Sequence, residues 1–132
     1  MRLLLIAFFA LAKPISTTNF KTSSPQIVLQ NYFRCFELKN VAEADSCANK
    51  YISSQLPAIE QDRLRTWPTS YHFKLSKITS CPRKLLMAAT YYSLSTGIYL
   101  CGTLKISAHS EEAIFFFNKD PKGTFFLYSI FY

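Results

Sequence analysis

The side chains able to do chemistry in this sequence are four cysteines, two histidines and eight carboxylates. Zinc sites bring their ligands in close pairs, whereas Cys35, Cys47, Cys81 and Cys101 are spread along the chain. An even set of widely spaced thiols in an exported chain reads as two disulfides with three possible connectivities. His72, between Tyr71 and Phe73, is the one candidate general base, but the local alternation puts it on the polar face of a strand. His109, within Ser107-Ala108-His109-Ser110, reads as a turn residue. Glu37, Glu43, Asp45, Glu60 and Asp62 fall on predicted helices, and Glu111, Glu112 and Asp120 at turns or where a strand begins. No strand interior is expected to carry a carboxylate, and no nucleophile-elbow pattern joins serine, histidine and acid. No catalytic residue, metal or cofactor is therefore expected.

The compartment follows from residues 1–12. Met1 and Arg2 give a positive start, Leu3 to Leu11 are apolar without a break, and Ala10-Leu11-Ala12 offers small residues for signal peptidase. A membrane span needs about 20 apolar residues, roughly twice this run. The segment reads as a cleaved signal peptide, which makes the protein secreted and extracellular with a mature start at Lys13 and no transmembrane segment. Residues 13–23, polar and without periodicity, read as a flexible leader, and 24–132 as a single domain.

The formal net charge is +7, one unit of it on Arg2 in the signal. The other bases are scattered with no run of five, so solvated charge is expected rather than a nucleic-acid interface. No Asn-x-Ser/Thr acceptor occurs.

Periodicity supplies the elements that must position these groups. Ser24-Pro25 opens a helix with Leu29, Tyr32, Phe33 and Phe36 at 3–4 spacing. Asn40 with Glu43 opens a second helix, so a helical hairpin is predicted over about 25–54. Pro57 and Pro68 bracket a short third helix, Ala58 to Thr66. From Ser70 onward the period changes to two, and five antiparallel strands are predicted: Tyr71–Ser76, Leu85–Leu94, Ile98–Ile106, Ala113–Phe117 and Phe125–Tyr132. The class is α+β, helices covering one face of a curved antiparallel sheet.

Two consequences follow from that sheet. With a hairpin turn near Thr96, Cys81 would lie over about 20 Å from Cys101, against a limit of about 7 Å between bridged Cα atoms. The bridges are then expected to run from helices to sheet, Cys35 and Cys47 with Cys81 and Cys101 in either order. The aromatic strands also need cover on both faces, so a hydrophobic pocket or a homodimer face is expected on the side away from the helices. Tyr91, Tyr92, Tyr99, Phe115, Phe117 and Phe126 are the candidate ligand-contacting residues, the partner being a hydrophobic small molecule, an extracellular protein or a second copy.

This order of elements, with the helix–turn–helix texture from Tyr32 to Ile52, resembles the cone-shaped fold of nuclear transport factor 2 and its relatives, small secreted nematode proteins among them. The resemblance spans about residues 25–132 and includes no diagnostic motif. It implies either a binding module or an isomerase-like or hydrolase-like enzyme, the isomerases using a carboxylate base and an acidic hydroxyl inside the cone. A cystatin-like inhibitor is the nearest rival, but its Gln-x-Val-x-Gly loop is absent. A non-enzymatic binding protein is the favoured reading, a secreted enzyme using His72 the alternative, and a cationic membrane-active defence protein the third.

Overall fold

A computed structural model describes residues 24–91 and 98–132. Helices α1 (Pro25–Cys35), α2 (Val41–Asn49) and α3 (Ala58–Ser70) precede strand β1 (Phe73–Thr79). Helix α4 (Arg83–Tyr91) follows, and then β2 (Tyr99–Ile106), β3 (His109–Lys119) and β4 (Phe125–Phe131). The strands form one antiparallel sheet in the order β1-β2-β3-β4, so the domain is α+β. Residues 1–23, expected to be a signal peptide and a flexible leader, lie outside the described residues.

Local chemistry accounts for the helix starts. Pro25 occupies the first turn of α1, where its missing N–H is not needed. The Ser24 hydroxyl makes no capping bond, contrary to expectation, but its carbonyl accepts from the Val28 N–H at 3.0 Å. Asn40 caps α2 as its sequence suggests, Oδ1 accepting from the Glu43 N–H at 3.0 Å. Helix α3 departs from the prediction, because it runs through Pro68 to Ser70 instead of stopping before it. Proline cannot donate to the carbonyl four residues back. That carbonyl, on Leu64, accepts instead from the phenol of Tyr32 at 2.6 Å, and so the helix continues without an orphaned group.

Among the described residues four strands form where five were predicted. The predicted strand Leu85–Leu94 falls, as far as Tyr91, within helix α4, and its remainder lies outside the described residues. Short apolar runs do not distinguish the two by period, and Leu, Met and Ala all favour helix. Strand β1 starts at Phe73, with Tyr71 and His72 in the turn before it, and β3 is longer than expected and includes Glu111 and Glu112. Carboxylates therefore do sit on a strand.

The core lies between α1–α3 and one sheet face, where Leu29, Tyr32, Leu104, Phe115, Phe117 and Leu127 are fully buried. A smaller core on the opposite face joins Cys101, Ile114 and Phe116, with Leu85 and Leu86 of α4 packed over them. The aromatic second face thus has its cover within the chain, supplied by the segment misread as a strand.

The disulfides join Cys35 to Cys47 and Cys81 to Cys101, not helix to sheet. The first ties the end of α1 to α2. The second is possible because α4 replaces the expected hairpin partner. Thr79, two residues before Cys81, pairs with Cys101 across β1 and β2, which leaves the bridged Cα atoms 5.0 Å apart.

The sheet is strongly curled. Phe73 on one edge strand and Tyr132 beyond the other hold their rings 5.5 Å apart, although three flat strand spacings would separate the edges by about 14 Å.

Candidate functional site

The two sheet edges differ. Beside β4 runs the segment after α2: the Leu127 N–H donates to the Tyr51 carbonyl at 2.7 Å, and the Ser53 N–H to the Leu127 carbonyl at 2.9 Å. That edge is partly closed. Strand β1 pairs with β2 on one side, and among the described residues no segment hydrogen-bonds to its other side.

Along that open edge lies a cleft of about 710 Å³ between α1 and β1. Phe33, Phe36, Phe73, Leu75, Ile78 and Pro68 contribute its apolar surface. Arg34 and His72 bring positive or protonatable groups to the rim, with Glu37 the one carboxylate among the lining residues, and Lys74 and Lys77 line the cleft from the strand edge. The α1 wall is rigid because Phe33 meets the core ring of Phe115 edge-on at 6.0 Å, and Phe36 meets Tyr32 at 5.1 Å. His72 stands at the mouth with φ of 55°, in the left-handed region that a residue with a Cβ enters at a cost of about 1–2 kcal/mol. It follows Tyr71, the cap of α3, and so occupies the place where a helix end often puts glycine.

Strand β1 carries an irregularity between Leu75 and Lys77 that leaves Ser76 without a partner in the ladder. The extra residue resets the alternation. Lys74 pairs with Lys105 and Lys77 with Thr103, so both lysines come to the sheet face away from α1–α3. The Lys77 carbonyl is pressed toward Gly102, where a Cβ would lie 2.5 Å from it.

A second cavity of only about 50 Å³ lies among Tyr32, Leu64, Trp67 and Tyr128. It holds no group that the rest of the core leaves unsatisfied. Burial drives the Tyr32 phenol far above its ordinary value near 10, so this hydroxyl is a structural donor. An imidazole–carboxylate pair exists at the start of β3, His109 Nε2 lying 3.3 Å from Glu111 Oε2. Tyr132 is near enough that its phenol is raised, first by burial and then by Tyr71 and Glu111. The pair is exposed and lines neither of these two cavities. Among the described residues no group of three or more His, Cys, Asp or Glu side chains could hold a metal.

The candidate ligand residues are not gathered around one cavity. Phe115 and Phe117 are wholly buried in the main core. Tyr99 is exposed and leans on Phe116 with ring centroids 6.2 Å apart, while Phe126 is half-buried opposite Asn118. Tyr91 ends α4, and Tyr92 lies outside the described residues. Sequence reasoning missed Arg34, Lys74, Lys77 and the wall of Phe33 and Phe36 as one site, because only the fold brings α1 beside β1. The legible signal was the pair Lys74 and Lys77 within a predicted strand.

Comparison with known proteins finds no matching family model, no matching curated protein and no matching solved structure. No helix among the described residues is long and apolar enough to cross a membrane.

Proposed function

We propose that the chain is a secreted, disulfide-stabilised, non-enzymatic binding protein that takes an extended segment of an extracellular protein partner along β1. The observation that carries this reading is the cleft between α1 and the unpaired edge of β1. An edge strand offers a row of free N–H and C=O groups, and a helix beside it supplies side-chain pockets. Peptide recognition by strand addition uses those two parts, main-chain bonds for affinity and alternate side chains for specificity. The apolar wall of Phe33, Phe36 and Leu75 suits such alternate side chains, and the open rim suits a chain that enters and leaves.

Export is supported by the signal-like residues 1–12 and by the pairing of all four cysteines. Kinship with the cone-shaped fold of nuclear transport factor 2 is supported by helices packed inside a sheet that curls until Phe73 meets Tyr132. In this reading the partner lies along the edge of the cone and its interior is filled by Phe115, Phe117 and Leu104.

The test is selection of displayed random peptides on the native protein, followed by binding of the winners to a Ser76→Trp variant. Ser76 is exposed and lines the cleft, so the indole fills the cleft without entering the core. Winners that bind wild type and lose at least tenfold on Ser76→Trp support the site. Winners indifferent to Ser76→Trp, or no enrichment at all, overturn it.

A further inference from the structure

The sheet face that carries α4 is only half covered. At one end, Cys101, Ile114 and Phe116 lie buried under Leu85 and Leu86. At the other, the same face presents Lys74 and Lys77 from β1, Thr103 and Lys105 from β2, and Ser110 and Glu112 from β3. All but the half-buried Thr103 are exposed. This end is bare and polar.

Its charge arrangement works against the fold. Lys74 and Lys105 are direct cross-strand partners, and like charges opposite one another destabilise a sheet. The irregularity at Ser76 adds Lys77 to the same face, where regular alternation would have turned it away. No ion pair compensates any of the three among the described residues, and Glu112, the one acid here, stands opposite Thr103. A lysine cluster that the fold itself opposes is what an external anion would neutralise.

We infer that Lys74, Lys77 and Lys105 form a docking surface for a sulfated polysaccharide chain. The make-up of the patch selects this partner among polyanions. Single-stranded nucleic acid is held by aromatic rings interleaved with the bases, and the patch has no ring. A peripheral membrane contact adds apolar side chains that enter the lipid boundary, and the patch has none. Lysines held at fixed backbone positions on a bare sheet match a polymer that carries anionic groups at regular intervals and offers little to stack on. This choice of polyanion rests on the reading that the protein is exported, where sulfated polysaccharides are found.

The experiment uses immobilised heparin as the probe, with the native full-length secreted protein and its Lys74→Glu variant. That substitution places an acid opposite Lys105, so the melting temperature rises while heparin affinity falls roughly tenfold. Lys50→Glu, at an exposed position after α2, makes the same change of net charge and leaves heparin affinity within twofold. Equal losses in the two variants show net charge alone at work and overturn the site, as does failure of wild type to bind heparin in physiological salt. Tighter binding to a single-stranded oligonucleotide or to phosphatidylserine vesicles than to heparin overturns the choice of partner. Export is read separately by intact mass of protein recovered from the medium. A chain found only inside cells, or retaining residues 1–12, refutes export whatever the lysine result.

Discussion

The Tyr32 hydroxyl donates at 2.6 Å to the carbonyl of Leu64, the group that Pro68 leaves without a helical donor. The proline expected to end α3 is thus accommodated inside it by a phenol from α1. Both residues are buried, so the bond joins two helices in the main core.

Tyr32→Phe is expected to cost about 1–3 kcal/mol, because it strands a buried carbonyl. Pro68→Ala restores an N–H that can serve the same carbonyl. The double variant should therefore be more stable than the sum of the singles predicts by about 1 kcal/mol, read from urea melts. Additivity within about 0.5 kcal/mol contradicts the linkage.

The same phenol sets an alkaline limit. Folding holds it neutral well above its ordinary value near 10, so the folded state is favoured fully below that pH. Above it the unfolded chain ionises and the folded one does not, and stability falls by about 1.4 kcal/mol per pH unit for this group. The difference between wild type and Tyr32→Phe, followed from pH 8 to 11, should shrink on the alkaline side. A constant difference would mean that the phenol is not withheld from solvent.

Cys81–Cys101 closes a separation of 20 residues and tethers the start of α4 to β2. Replacing both cysteines with alanine should cost about 3 kcal/mol in the chain-entropy picture. It should also loosen α4 over Ile114 and Phe116, which makes that face bind a hydrophobic dye. Equal dye binding after removal of Cys35–Cys47 would argue against a specific hold on α4.

Gly102 has its own requirement. A methyl group there would meet the Lys77 carbonyl at 2.5 Å, and the obstacle is backbone, which cannot rotate away. Gly102→Ala should destabilise by about 1–3 kcal/mol and displace β1 at its irregular pair. Amide shifts confined to β3 and β4 would contradict this.

Much of the helical half was legible because caps and 3.6 periodicity agree there, as at Asn40 with Glu43. The last turn was equally legible: Asp120 Oδ1 accepts from the N–H groups of Lys122 and Thr124, and Gly123 takes φ of 89°. Leu85, Leu86 and Met87 were not, since a short apolar run is compatible with strand or helix until its neighbours are known. That one misreading carried the disulfide pairing with it, because a hairpin separates Cys81 from Cys101 and a helix does not. The cleft was hidden for a different reason. Arg34 and Lys77 are far apart in sequence, and an unpaired ladder residue at Ser76 reverses the facing of every β1 residue after it.

Backbone amide exchange, measured residue by residue with and without a peptide selected on the native protein, tests the central claim most directly. Strand addition at the cleft predicts slowed exchange within Phe73–Thr79 and on the facing surface of α1, with β4 unchanged. Protection at Phe125–Phe131, or none in β1, contradicts it.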